Sequence, residues 1–91
     1  MPRPRLCRRI GLNPNITFYK PQGIPLKNLK VIKLTYEEWE ALRLKNVEGL
    51  NQNQSAEKMN TSQSTFQRIF SNAQKKISTA IVNGMAIKII K

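Results

Sequence analysis

Between Ser62 and Gly84 no proline or glycine interrupts the chain, and Phe66, Ile69, Phe70, Ala73, Ile77, Ala80 and Ile81 recur at spacings of three and four. That is the period of one face of an α-helix, and it predicts a helix from Gln63 that extends about 20 residues, or roughly 30 Å. Ser62 is a good N-cap for it, and Gly84 is where it must stop. Such a helix is longer than one packed core needs.

Two shorter helices are predicted upstream. Asn51, followed three residues later by Gln54, reads as a capping box, and Ala56 and Met59 give an inward face to a helix of about eight residues. Asn60-Thr61-Ser62 then breaks the pattern, since asparagine tolerates the left-handed conformation of a tight turn. Thr35-Tyr36-Glu37-Glu38 is a second capping box, so another helix should start at Tyr36. Its apolar stripe is Trp39, Leu42 and Val47, with Leu44 flanking, and it should run to about Asn46 before Glu48-Gly49-Leu50 ends it. Capping and a solvated helix face account for the clustered Glu37, Glu38 and Glu40.

Before the first helix the residue types change. Ile16 to Lys20 are β-branched and aromatic and predict a short strand, Lys20 to Pro25 a turn or loop, and Val31, Ile32 and Leu34 an extended lead-in. Met85-Ala86-Ile87-Lys88-Ile89-Ile90 reads as a strand that pairs with the Ile16 to Lys20 segment. Pro2, Pro4 and Pro14 among Arg3, Arg5, Arg8 and Arg9 block helix and predict an extended basic arm.

Charge narrows the function classes. Sixteen Lys and Arg against five Asp and Glu, with no His, give a formal net charge of +11. Residues 1–33 hold eight of the cations and no acid, residues 34–60 hold three cations and all five acids, and residues 61–91 hold five cations and no acid. Two basic regions around a near-neutral scaffold suit a polyanionic partner. No segment approaches the roughly 20 apolar residues of a membrane span. The basic start is followed by Asn, Pro and Thr and not by an apolar stretch, so a secretory signal is not expected and the chain is placed in the cytoplasm. Cys7 alone forms no internal disulfide and holds no structural zinc. Without His, a paired nucleophile and base or a Gly-rich phosphate loop, neither an enzyme nor a cofactor is expected.

A short helix, a tight turn and a longer helix with polar residues at its start is the helix-turn-helix pattern, in which the second helix enters the major groove. Small Ala56 at the helix crossing, Asn60 in the turn, and Phe66 and Ile69 facing inward meet its geometric demands. The outward side of the long helix then presents Gln63, Ser64, Gln67 and Arg68 as base-reading candidates, because Gln pairs with adenine and Arg with guanine. Thr65 and Ser71 lie beside them, and Lys75 and Lys76 further along; with Arg3, Arg5, Arg8 and Arg9 these are candidates for phosphate or minor-groove contact. Trp39 and Phe18 are capable of stacking on bases, but Trp39 at helical spacing reads as core. Lys20, Lys27, Lys30 and Lys33 read as surface charges.

Several blocks together resemble a prokaryotic family of small, uncharacterised, predicted DNA-binding proteins. They are Met1-Pro2-Arg3-Pro4-Arg5 with Cys7-Arg8-Arg9-Ile10, Phe18-Tyr19-Lys20-Pro21 with Gly23 and Pro25-Leu26, and Glu40-Ala41-Leu42-Arg43-Leu44 through Glu48-Gly49-Leu50. Ala56-Glu57-Lys58-Met59, Ser62, Thr65-Phe66-Gln67-Arg68-Ile69 and Val82-Asn83-Gly84 complete the set. The resemblance covers essentially the whole chain and departs from the family at Asn60, commonly glycine, and Thr61, commonly aliphatic. It implies a helix-turn-helix similar to that of sigma-factor region 4, with Gln63, Ser64, Gln67 and Arg68 as the positions to test for base contact.

The expected fold is therefore mainly α: a three-helix helix-turn-helix domain, winged or sigma-region-4-like, over residues 35–84. A basic arm (1–15) and a short strand and loop (16–34) precede it, and a C-terminal strand (85–91) follows. The expected function is sequence-specific double-stranded DNA binding by a transcriptional regulator. The alternatives are an RNA-binding protein, for which no GXXG loop or aromatic sheet motif is visible, and an adaptor contacting RNA polymerase, for which an exposed apolar face on the late helix would be diagnostic. The surplus length of the last helix, or the C-terminal strand, offers a homodimer interface.

Overall fold

Local hydrogen bonds set three helix starts in the computed structural model, which describes residues 11, 12 and 14–91. Thr35 Oγ1 accepts from Glu38 N at 3.1 Å while Glu38 Oε1 accepts from Thr35 N at 2.9 Å, which opens α1 (Tyr36–Leu42). The same reciprocal pair between Asn51 and Gln54, at 2.8 and 3.1 Å, opens α2 (Gln52–Lys58). Ser62 Oγ accepts from Thr65 N at the start of α3 (Gln63–Asn83). Each cap satisfies amides that a helix start otherwise leaves unpaired, and contributes about 1 kcal/mol. At the far end of α3, Gly84 takes φ +66° and Met85 N donates to Ala80 O at 2.8 Å.

The first helix does not end as its spacing predicts. After Leu42 it widens into one turn of π-helix, Arg43–Val47, closed by Glu48 N donating to Arg43 O five residues back. The wider turn shifts the helical phase: Leu44 stays buried, but Val47, expected on the apolar stripe, is turned out to 78% exposure. Ile81, also expected inward, is 71% exposed. It lies at the border of the apolar arc one turn beyond Ile77, the last residue on that side to pack against the core.

The strands form one sheet in the order β1 (Phe18–Tyr19), β3 (Ala86–Ile90), β2 (Val31–Thr35). β3 pairs with β1 as expected, antiparallel, but over two residues only. Its main partner is β2, the segment predicted as a lead-in, in parallel register from Val31 opposite Ala86 to Thr35 opposite Ile90. A parallel pair needs a long crossover, here the whole of α1, α2 and α3, so no turn near either strand announces it. The outer edge of β2 is blunted by side chains. Lys33 O accepts from Lys76 Nζ at 2.9 Å, and Thr35 N is held by Glu38.

Two hydrophobic clusters explain the length of α3. Its first half contributes Phe66, Ile69 and Phe70 to a cluster with Ala41, Leu44, Ala56 and Met59, in which the Phe66 and Phe70 rings stack at 5.8 Å. Its second half contributes Ala73 to a cluster with Leu34 and Ile89, flanked by Trp39, Ile77 and Ile87. The described residues are thus mostly helical with a small three-stranded sheet, and α3 supplies buried residues to both cores, with Leu42 of α1 packed against each.

Glu40 corrects a further expectation. It is not on a solvated face but 2% exposed, bound by Arg43 Nε at 2.8 Å and Nη2 at 2.7 Å and by Gly11 N at 2.9 Å. The chain returns over α1 at Gly11, where a side chain would meet Arg43 Nη2 at 3.0 Å. Arg43 also reaches Glu48 at 3.3 Å, and the hydrogen bond to Glu40, the largest cause, raises its guanidinium above its ordinary pKa. The expected arm over residues 1–15, with Arg3, Arg5, Arg8, Arg9 and Cys7, lies for the most part outside the described residues.

Candidate nucleic-acid interface

Four residues join α2 to α3, and the turn closes with no glycine. Asn60 takes φ +57°, Asn60 N donates to Glu57 O and Thr61 N to Ala56 O, both at 3.0 Å, the bond pair that ends a helix through a left-handed residue. Ala56, 2% exposed, lets the helices approach. Gln63 Nε2 donates to Asn53 Oδ1 at 3.2 Å, and Gln52 Nε2 lies 3.4 Å from Gln63 O, so polar side chains also tie the crossing. The angle between the two helices is therefore held from inside by Ala56, Met59 and Phe66 and from outside by these amides.

With Phe66, Ile69 and Phe70 turned in, the opposite side of α3 is set. At 100° per residue, Ser64, Arg68, Ser71 and Lys75 fall within a strip about 60° wide, and Gln63 and Gln67 flank one edge of it. All six are exposed. Gln67 Nε2 donates to Ser71 Oγ at 2.9 Å, which lays the amide along the helix. Arg68 and Lys75 form no hydrogen bond or ion pair with the described residues. Because α3 contains no acid, nothing on the helix itself offsets their charge.

Two other predicted contact residues are already engaged. Lys76 is bound to Glu38 Oε1 at 2.8 Å and to Lys33 O, so it braces the sheet against α1 and α3. Thr65 is half-buried, and its Oγ1 accepts from the capping Ser62 Oγ at 2.9 Å. The Lys76 tie spans 38 residues and left no local pattern, whereas the pairing of Glu40 with Arg43 was open to view in their spacing of three. Trp39 packs beside Leu34 and Ile89, as its helical spacing suggests. Lys45 lies over the Phe70 ring at 5.7 Å, a contact that sequence spacing does not show. Arg3, Arg5, Arg8 and Arg9 fall outside the described residues, and no described helix is long and apolar enough to cross a membrane.

A family model described as "Protein of unknown function DUF134" matches residues 1–91. A UPF0251 protein of Thermoanaerobacter pseudethanolicus is 48% identical over 89 residues, which cover 98% of this chain and 75% of that one. UPF0251 proteins of Desulforudis audaxviator and Moorella thermoacetica are 51% and 46% identical over 89 residues and 98% of this chain. The match spans 58% and 60% of their respective lengths, less than two thirds of either. No solved structure matches the chain.

Proposed function

The chain belongs to the family described as protein of unknown function DUF134, and on the geometry of its own site we propose that it binds double-stranded DNA in a sequence-specific manner as a transcriptional regulator. The observation that carries this reading is the exposed, acid-free strip on α3, with Arg68 and Lys75 unpaired among the described residues, directly after the tight turn from α2. In this reading α2 and α3 are a helix-turn-helix of the kind found in sigma-factor region 4, and the first turns of α3 lie in the major groove. That groove is about 12 Å wide and admits a helix. Arg68 pairs bidentately with a guanine, Gln63 and Gln67 with adenine, and Ser64 with either a base or a phosphate. Lys75, two turns along the same strip, meets the flanking backbone, and the arginines of residues 1–9 contact phosphates or the minor groove.

Selection from a random duplex library, with affinities for the winners and for scrambled DNA followed across salt, tests the reading. An enriched motif held about 10³-fold above scrambled duplex supports it, and palindromy of that motif would report a dimer. Six phosphate contacts alone cost on the order of 10³-fold between about 50 and 200 mM salt, so a steep slope without selectivity argues only for a basic surface. Arg68→Ala should cost about 1 to 3 kcal/mol and relax preference at one base. A uniform loss over all sequences would make Arg68 a phosphate contact.

One observation favours a second reading. The last turn of α3 exposes Ile81 and Val82, at 71% and 81%, an apolar surface that suits a protein such as RNA polymerase better than DNA. If no motif is enriched and Ile81→Ser with Val82→Ser abolishes co-purification with RNA polymerase, the adaptor replaces the regulator.

A further inference from the structure

The sheet has one face packed on the helices; on its other face Ala86 is buried but Val31, Lys33 and Lys88 are exposed, and that exposed part is chemically distinctive. Ile32, Leu34, Ile87 and Ile89 lie on the inner face, where Leu34 and Ile89 are cross-strand partners and both belong to the core. One residue along each strand reverses the direction, so Lys33 and Lys88, also direct partners, stand side by side on the outer face. Phe18, the partner of Lys88 from the other side, completes the row with 37% of its surface exposed. The order across the sheet is therefore aromatic ring, cation, cation, on strands about 4.8 Å apart.

Like charges directly opposite each other weaken a sheet. Neither lysine forms an ion pair or hydrogen bond through its side chain with the described residues, and every acid of the chain lies between Glu37 and Glu57, off the three strands. The fold thus keeps two unneutralised charges adjacent and leaves a phenylalanine beside them with 37% of its surface exposed. Both features are unfavourable for the isolated protein, and both are resolved by one ligand chemistry: a planar base on the ring and a phosphate between the ammonium groups.

We propose that the outer face of the sheet is a binding site for single-stranded nucleic acid, in which a base stacks on Phe18 and the adjoining phosphates bridge Lys88 and Lys33. The site lies on the far side of the sheet from α3, so it is separate from the duplex-reading strip and stands whether or not that reading holds. A single strand fits better than a duplex because only unpaired bases offer a free face to a ring on a sheet.

Fluorescence anisotropy with labelled oligo(dT) and oligo(U) of about 12 nucleotides, using the whole chain, tests the site. Phe18→Ala should weaken binding about tenfold or more, and inorganic polyphosphate, which has no bases, should bind that variant as it binds the parent. Lys88→Gln and Lys33→Gln should each weaken both oligonucleotides and flatten the salt dependence. Lys88→Gln should also melt at or above the parent temperature in low salt, because it relieves the opposed charges; a structural role for Lys88 predicts the reverse. Tighter binding of one oligonucleotide identifies RNA or DNA as the preferred strand, and equal binding identifies a site that reads only base faces and phosphates.

Arg68→Ala separates the two sites: it should lower duplex affinity and leave oligonucleotide affinity unchanged. Phe18→Leu, which keeps an apolar side chain without the ring, replaces Phe18→Ala if that variant does not fold. The proposal is overturned if neither oligonucleotide binds, if removing the ring changes nothing, or if Arg68→Ala costs as much single-strand affinity as the sheet variants do.

Discussion

The helical half of the molecule and the sheet half are held by different kinds of contact. Around α2 and α3 the decisive bonds are short in sequence: Asn51 with Gln54, Ser62 with Thr65, Asn60 with Glu57, Thr61 with Ala56. Around α1 and the sheet they join distant residues: Gly11 with Glu40, Glu38 with Lys76, Lys33 with Lys76, and the whole parallel ladder of β2 and β3. The strip on α3 rests on the first kind and the open lysine row on the second. A local scaffold can be judged from a few adjacent residues, whereas a site built on the sheet exists only when the whole chain has folded.

The largest expected effect tests whether these halves are separable at all. Phe66 is fully buried in the helical cluster, and Phe66→Ala should cost about 4 kcal/mol. Since α3 belongs to both cores, far-ultraviolet circular dichroism and the fluorescence of Trp39, which sits on the sheet side, should fall at one lowered melting temperature. Two separated transitions would show that the two halves fold as independent units.

Next in size is the tie at Glu40. Glu40→Ala leaves Arg43 with only the more exposed Glu48 as an acidic partner and frees Gly11 N, for an expected loss of about 3 kcal/mol in denaturant melts. A loss below about 1 kcal/mol would mean that this long-range contact accompanies the fold without stabilising it. The smallest effect has the opposite sign. Ser55 Oγ, in α2, is buried with no hydrogen-bond partner among the described residues, so Ser55→Ala should raise stability by about 1 kcal/mol. No gain would place an ordered water on that hydroxyl.

Legibility in the sequence divides along the same line. Both capping boxes, the left-handed Asn60, and the start and stop of α3 were readable because each depends on residues within one turn of each other. Gln63, Ser64, Gln67 and Arg68 were placed outward by the inward period of Phe66, Ile69 and Phe70, and all four are exposed. The π turn at Arg43–Val47 was not readable, since placing Val47 on the apolar side of the helix assumes 3.6 residues per turn throughout, and one wider turn moves Val47 into solvent. Lys76 looked like another cation on a basic helix, and only its contact with Glu38 and Lys33 O gives it a structural task.

By itself the sequence determined the starts and ends of α1, α2 and α3, apart from the π turn, together with the basic charge and the residues exposed on the first half of α3. Those properties come from hydrogen bonds and periodicity over at most a few turns, where the nearest partners are also the nearest in sequence. The parallel pairing of β2 with β3, the burial of Glu40 and the row of Phe18, Lys88 and Lys33 were decided only by the tertiary structure. Strand residues carry no mark of which distant strand they will join, and register, which sets the face each side chain occupies, is settled when α3 closes the crossover over both cores.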